Sequence, residues 1–199
     1  EIFFYSGATE ANNHSMFALS ALANKFSDRK RVIISEIEHK CILESSRYWA
    51  QKFGLELCLL KVDGNGMVDL AQLIKLLEVP TLFCSIMYVN NELGTINPIQ
   101  DIGNLAHKHN ILFHSDAVQF IGKDKLNISD IKIDFLSMAA HKFYGPKGIG
   151  VLYCKAGVIF KPLINGGGQE SGLRAGTENT SSIAGMCKAL EMANDNYKD

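Results

Sequence analysis

Residues 137–150 read SMAAHKFYGPKGIG, a stretch in which an apolar run ends at His141 and Lys142 and a glycine-containing turn follows. The apolar run is typical of a buried strand, and residues 149–154, after the turn, have the same character. A solvated lysine needs no such setting, whereas a lysine amine attacks carbonyl carbons only when it is deprotonated, which desolvation favours. The stretch therefore predicts a strand edge that carries a reactive lysine.

Similar apolar runs recur along the chain and alternate with amphipathic segments. The strand-like runs are residues 2–6, 31–35, 55–62, 81–89, 111–116, 133–140 and 149–154, and the helical patterns are residues 9–25, 41–53, 69–78, 99–109 and 180–196. Continuous apolar strands that alternate with helices predict an α/β fold, with a mostly parallel sheet and helices on both faces.

Composition and charge exclude several classes of function. The 199 residues are 47% hydrophobic with a net charge of -1, and no basic run stands out, so we expect no nucleic-acid partner. No apolar run approaches membrane-spanning length, so we expect no membrane partner. The five cysteines lack the close spacing of zinc ribbons or redox pairs and indicate buried thiols of a reducing compartment, the cytoplasm. His114 and Asp116 have no third ligand at a convincing spacing, so no metal site is expected.

Polar residues follow five of the predicted strands. In open α/β sheets, ligands bind beyond the carboxyl ends of the strands, so these residues are expected to meet in one crevice. They are residues 6–9, His39, residues 90–92, Asp116 and residues 141–142. Five such groups together predict a site, although each alone has an ordinary structural explanation.

These groups have complementary chemistry. The turn in SGATEANN (residues 6–13) leads into a helix and offers backbone N–H groups to a phosphate. Asp116 requires a cationic partner such as a protonated ring nitrogen, His39 can lie over a ring or carry protons, and Lys142 can form an imine. Together they predict pyridoxal phosphate, whose ring withdraws electrons from a substrate carbanion. An NAD-binding domain is a fold-level alternative, but the chain has no GxGxxG motif.

The chain also resembles a known family, the class V pyridoxal-phosphate enzymes, and within it the cysteine desulfurases of the NifS and IscS type. The matching stretches are SGATEANN, SEIEHK, SIMYVNNELGTINPI, HSDAVQFIGK, AAHKFYGPKGIGVLY and GGGQESGLRAGTEN. The resemblance implies a seven-stranded sheet, the large domain of the aspartate-aminotransferase fold. It also implies removal of sulfur from L-cysteine to give L-alanine and a persulfide, for iron–sulfur cluster assembly or other sulfur transfer through an acceptor or scaffold protein.

The resemblance assigns roles residue by residue. Lys142 matches the lysine that binds the cofactor, His39 the histidine stacked on its ring, and Asp116 the partner of the ring nitrogen. Gln119 matches a donor to the ring hydroxyl, and Asn90 a residue that contacts cofactor and substrate. The remaining matches are to phosphate-contacting residues: Ala8, Thr9, His141 and Thr177, the last reaching the phosphate of the partner subunit, which implies a homodimer.

Two departures from the family pattern affect these expectations. Ala139 stands where the family usually has a serine or threonine that donates to the phosphate, and Ser137 is expected to lie too far away to replace it. The family's persulfide-forming cysteine and substrate-binding arginine match nothing here. We therefore expect residues 1–199 to be the cofactor-binding large domain without a preceding segment and a small domain, and to be inactive alone. A selenocysteine lyase, an aminotransferase and a non-catalytic scaffold domain are the alternatives.

Overall fold

Seven strands and five α-helices lie in residues 1–158 and 161–196, the part of the chain that the computed structural model describes, and they alternate as far as residue 116. The strands are β1 (Ile2–Tyr5), β2 (Arg31–Ser35), β3 (Glu56–Leu60), β4 (Thr81–Ser85), β5 (Leu112–Asp116), β6 (Phe135–Ala139) and β7 (Gly150–Cys154). The α-helices are α1 (Ala8–Ala21), α2 (Lys40–Phe53), α3 (Leu70–Leu77), α4 (Ile99–Lys108) and α5 (Thr180–Asn196). Each corresponds to a segment that the sequence pattern predicts.

The strands form one sheet in the order β1-β7-β6-β5-β4-β2-β3. Strand β7 is antiparallel to both of its neighbours, and the other neighbouring pairs are parallel. The predicted mostly parallel, seven-stranded sheet is therefore confirmed. Two elements end four residues before the predicted boundary: α1 ends at Ala21, and β4 ends at Ser85 although the apolar run continues to Val89. For β4, one cause is that the Met87 N–H donates to the Glu38 carboxylate at 2.7 Å, so it is not available to a strand partner.

Helices cover both faces of the sheet. In β2, Ile33 belongs to a buried apolar cluster that also holds Leu73 of α3 and Ile102 of α4. The adjacent Val32 and Ile34 belong to a second cluster with residues of α1 and α2. Successive side chains of a strand point to opposite faces, so a strand buried on both sides has no polar alternation. The predicted arrangement of the two helical layers is confirmed.

The strand directions place several loop connections at one edge of the sheet. The first residue of β7, Gly150, pairs with Tyr5 at the end of β1 and with Ala139 at the end of β6. Strands β2, β4 and β5 run in the same direction as β6 and end at the same edge. None of the described helices is both long and apolar enough to cross a bilayer.

Candidate cofactor site and active site

A cavity of about 480 Å³ lies at this edge of the sheet. It is lined by most of the predicted site residues: Ala8, Thr9, His39, Asp116, Gln119, His141 and Lys142. Their sequence positions span more than half of the chain, so the sheet is what brings them together. The two other predicted residues, Asn90 and Thr177, do not line this cavity.

One end of the cavity is formed by the N-terminus of α1. The first-turn N–H groups of a helix have no helical carbonyl to bond. Gly7, the residue before α1, provides no side-chain cap for them. Residues 7–9 line the cavity. Gly150 of β7 packs directly behind them, and a Cβ atom there would lie 2.5 Å from the Gly7 carbonyl carbon. This close packing, which requires glycine at position 150, holds the turn in place, and free N–H groups at a helix N-terminus suit an anion.

Three basic side chains lie beside that turn: His141, Lys142 and Lys147 line the same cavity. Burial lowers the pKa of His141, and the charges of Lys142 and Lys147 act in the same direction. No other described residue donates to, accepts from or pairs with the Lys142 amine. The positive potential and the bare helix terminus suit a phosphate, and the Lys142 side chain, which is exposed rather than desolvated in this chain, is accessible from the cavity.

Asp116 ends β5 and is buried in the cavity wall. Its Oδ1 accepts from the Val118 N–H at 3.0 Å and its Oδ2 from the Asn12 side-chain amide at 2.7 Å. Burial raises the pKa of Asp116 above its ordinary value, although these two hydrogen bonds act in the opposite direction. Sequence reasoning missed Asn12, although it lies within the quoted SGATEANN stretch, because nothing local shows that a helical amide faces a strand end 104 positions away.

His39 caps α2 with its side chain. The Cys41 backbone N–H donates to His39 Nδ1 at 3.2 Å, and the Cys41 thiol lies 3.0 Å from the same nitrogen. A backbone N–H can only donate, so Nδ1 accepts and the neutral ring carries its proton on Nε2. The tautomer of the predicted proton carrier is therefore set by the first turn of α2.

Cys41 lines the cavity, although the sequence pattern indicates a buried thiol that packs within the fold. Its sulfur accepts from the Asn12 amide at 3.2 Å in addition to its contact with His39. Burial raises the pKa of Cys41 to about 11. The thiol is therefore protonated at neutral pH and is a poor nucleophile.

Gln119 is oriented by a lysine that sequence reasoning did not single out. The Lys123 ammonium donates to Gln119 Oε1 at 2.5 Å and to the Gln119 backbone carbonyl at 3.1 Å. An ammonium only donates, so the amide oxygen must face Lys123 and the NH₂ group faces away from it. Gln119 can then act as a donor in the cavity.

The two adjacent asparagines have different positions. Asn90 uses Oδ1 to accept from the Glu92 and Leu93 N–H groups at 2.9 and 2.8 Å, and its amide nitrogen donates to the Ile37 carbonyl at 3.0 Å. Asn91, the next residue, lines the cavity. Asn91 is therefore the member of the pair that lines the cavity, Asn90 holds the loop that carries it, and the cofactor contact expected of Asn90 stays a prediction.

The site lacks a hydroxyl where the family usually has one. Ala139 lines the cavity at the end of β6. Ser137 is fully buried, and its hydroxyl lies 3.0 Å from His114 Nε2 inside the sheet layer. The Ser6 hydroxyl, at the phosphate end, donates to Glu10 at 2.6 Å. Neither serine is free to take the place of the missing donor.

Thr177 lies in the glycine-rich loop, residues 165–179, and lines a smaller cavity of about 150 Å³. The same cavity is lined by Arg174, whose guanidinium donates to the Glu10 carboxylate from Nε at 2.9 Å and from Nη2 at 3.2 Å. Arg174 is therefore already paired and is not available to bind a substrate carboxylate. Thr177 is exposed within this chain, which is compatible with a contact to another subunit.

Comparisons with known proteins agree with this geometry. The model of the aminotransferase class-V family matches residues 1–198. The cysteine desulfurase IscS of Dictyoglomus turgidum is 46% identical over 194 residues, which cover 97% of this chain and 48% of that protein. A mitochondrial cysteine desulfurase of Arabidopsis thaliana is 44% identical over 196 residues, which cover 97% of this chain and 42% of that protein. The chain spans about half the length of the curated relatives it matches.

Solved structures show the same fold. A NifS-like protein superposes with a TM-score of 0.93 at 43% identity, over 98% of this chain and 53% of the other. A structure of SspA in complex with cysteine superposes with a TM-score of 0.89 at 41% identity, over 96% of this chain and 55% of the other. The aspartate-aminotransferase type of fold is thereby confirmed. The chain belongs to the class V aminotransferase family, whose members, the cysteine desulfurases among them, use pyridoxal phosphate.

Proposed function

We propose that the protein carrying this chain is a pyridoxal-phosphate-dependent cysteine desulfurase and that residues 1–199 are its cofactor-binding large domain. The observation that carries this proposal is the convergence of Lys142, Asp116 and His39 on one cavity that ends at the bare N-terminus of α1. L-Cysteine as the substrate is supported by the names of the relatives and by the cysteine complex of SspA.

The residues of the cavity fit the cofactor. The N–H groups of residues 7–9, with the Thr9 hydroxyl and His141, would hold its phosphate. Asp116 would keep a proton on the ring nitrogen, because a buried carboxylate gains most from a cationic partner. Gln119 would donate to the ring oxygen, and Asn91, which lines the cavity next to the predicted residue Asn90, would contact the ring.

Chemistry would follow from the same groups. Pyridoxal phosphate, when bound, withdraws electrons from the α-carbon of an attached amino acid. Lys142 would supply the amine that attaches the cofactor at rest and, when released, a base beside the substrate. His39, with its proton on Nε2 and Nδ1 held by α2, would move a second proton.

The overall reaction requires a thiol. L-Cysteine and a protein thiol become L-alanine and a protein persulfide, so a C–S bond breaks, an S–S bond forms and no external oxidant is needed. Cys41 is the cysteine that lines the cavity, and its raised pKa makes it unsuited to this role. We place the accepting thiol, and the arginine for the substrate carboxylate, in a part of the protein other than residues 1–199.

The assembly and compartment are also proposals. Thr177, exposed on the glycine-rich loop, would reach the phosphate of a partner subunit in a homodimer. The persulfide sulfur would then pass to an acceptor or scaffold protein. The five cysteines are free thiols, which supports a reducing compartment, and we propose the cytoplasm.

Reduction of the cofactor-loaded protein with borohydride tests the assignment. We expect a covalent pyridoxyl adduct on Lys142, located by peptide mass spectrometry, and loss of the imine absorption band in Lys142→Ala. Lys147→Ala is the matched control, because Lys147 lines the same cavity and should not be the attachment point. An adduct on Lys147, or a full band in Lys142→Ala, would overturn the proposed function.

A further inference from the structure

Glu10 accepts hydrogen bonds from two separate parts of the chain. The Ser6 N–H and hydroxyl donate to its Oε2 at 2.8 and 2.6 Å, which holds the turn immediately before α1. Arg174 donates to both of its oxygens, although it lies 164 positions further along the chain. One carboxylate thus connects the phosphate end of the cavity to the glycine-rich loop.

The pair is shielded from water and has a geometry that favours a strong interaction. The Arg174 and Glu10 side chains are 20% and 15% exposed, and the guanidinium contacts both carboxylate oxygens. Burial raises the pKa of Glu10, but the hydrogen bonds from Arg174 and Ser6 outweigh burial and lower it overall. The pair also raises the pKa of Arg174. Both groups are therefore charged at neutral pH.

The glycine-rich loop needs such an anchor. Glu170 and Ser171 have φ angles of 47° and 58°, in the left-handed region that L-residues rarely adopt. Most of the loop's own hydrogen bonds are short-range: the Gly172 N–H donates to the Gln169 carbonyl at 2.9 Å, the Leu173 N–H to the Glu170 carbonyl at 3.0 Å, and the Gly176 N–H to Gln169 Oε1 at 3.1 Å. A charged pair to α1 supplies a contact from outside the loop, three residues before Thr177.

We propose that Glu10 and Arg174 are positioning residues that join the phosphate-binding turn to the glycine-rich loop, so that the turn and Thr177 are held by one ion pair. The inference deepens the proposed function and rests on it for the identity of the phosphate. In a dimer, the Glu10–Arg174 pair would link the phosphate site of one subunit to the loop that the same subunit extends toward its partner. Loss of the pair then loosens both ends together.

The test compares Glu10→Gln with a matched control in the protein that carries this chain. Glu56→Gln is that control, because Glu56 also pairs with an arginine, Arg31, through both carboxylate oxygens, but at the far edge of the sheet. Two quantities are measured: amide hydrogen exchange of residues 165–179 without cofactor, and the dissociation constant of pyridoxal phosphate.

We expect Glu10→Gln to speed exchange in residues 173–177 at least tenfold and to weaken pyridoxal phosphate binding at least fivefold, with Glu56→Gln changing neither. The reversed pair, Glu10→Arg with Arg174→Glu, should recover part of the exchange protection lost in Glu10→Arg alone. Unchanged exchange in Glu10→Gln overturns the inference, even if the wild-type protein binds the cofactor. A different result separates the two proposals: the wild-type protein binds no pyridoxal phosphate, yet exchange in the loop is faster in Glu10→Gln. That result would overturn the proposed function but would still support the Glu10–Arg174 link between the turn and the loop.

Discussion

The side-chain amide of Asn12, in α1, donates to the carboxylate of Asp116, at the end of β5, across 2.7 Å. Asn12 is fully buried and Asp116 is 5% exposed, and the same amide nitrogen lies 3.2 Å from the Cys41 sulfur. Asn12 thereby connects the helix that forms the phosphate end of the cavity to the carboxylate expected to hold the ring nitrogen.

Asn12→Ala is expected to destabilise the protein. Loss of a charge-assisted hydrogen bond to a buried carboxylate lowers the free energy of unfolding by about 1.5–3 kcal/mol. Urea unfolding at pH 7 measures this loss. Asn13→Ala, which removes an exposed hydrogen bond to the Thr9 carbonyl, is the control and should change stability by less than about 0.5 kcal/mol. Equal effects of the two variants would mean that the Asn12–Asp116 contact does not stabilise the fold.

Ala139→Ser is expected to tighten the binding of pyridoxal phosphate. The new hydroxyl would restore a donor at the end of β6, and a hydrogen bond to a charged group contributes roughly 1.5–3 kcal/mol. Titration of the cofactor-free protein, followed by absorbance, gives the dissociation constant. Ala140→Ser, one residue further along and fully buried, is the control and should not tighten binding. An unchanged constant in Ala139→Ser would mean that the phosphate is already satisfied.

Lys123→Met is expected to weaken cofactor binding severalfold, because Gln119 loses the ammonium that orients its amide. A dissociation constant measured by titration again reports the effect. Lys125→Met is the matched control, since it removes an exposed lysine of the same loop. If both variants bind the cofactor equally well, Lys123 does not orient Gln119.

His114 is expected to make stability depend on pH. It is fully buried between the Ser85 and Ser137 hydroxyls, and burial lowers its pKa to about 3. In the unfolded chain a histidine titrates near pH 6.5, so unfolding takes up a proton between about pH 6.5 and 3. The contribution of neutral His114 is therefore complete above about pH 6.5 and decreases as the pH falls, by up to about 1.4 kcal/mol per pH unit.

Urea unfolding at pH 7.5 and pH 5 measures this effect. His114→Gln should lose less free energy of unfolding between these two pH values than the wild type, whatever its absolute stability. His107→Gln, at an exposed position of α4, should behave as the wild type does. A His114→Gln variant with the wild-type pH dependence would contradict the role of His114.

Cys41 is expected not to be the sulfur acceptor. Its raised pKa keeps the thiol protonated, and its sulfur is held between Asn12 and His39. Cys41→Ala should therefore retain sulfide release from L-cysteine within about threefold in the protein that carries this chain. The residues 1–199 alone, with pyridoxal phosphate and a reductant, should release none. Abolished release in Cys41→Ala would identify Cys41 as the acceptor, whereas turnover by the isolated chain would show that residues 1–199 carry their own sulfur acceptor.

The sequence by itself determined the strands, the helices and the edge at which the site lies. The seven runs are mostly apolar and lack strict polar alternation, so burial of the central strands on both faces follows from the period of the strand. The chain direction then places the residues that follow β1, β2, β5 and β6 at one edge. That is why the sequence predicts Thr9, His39, Asp116 and Lys142 as neighbours at this edge, and all four line the cavity.

The tertiary structure alone decided which side chains beyond the strand ends face the cavity. Asn90 and Asn91 are the same residue type at adjacent positions. The Asn90 side-chain oxygen accepts from the Glu92 and Leu93 N–H groups, whereas Asn91 lines the cavity. The periodicity that orients side chains within a strand stops where the strand stops, and hydrogen bonds of the following turn take over. Contacts such as Asn12 with Asp116 and Glu10 with Arg174 join residues more than a hundred positions apart. Local sequence does not predict those pairs, because they form only when the sheet has brought the two segments together.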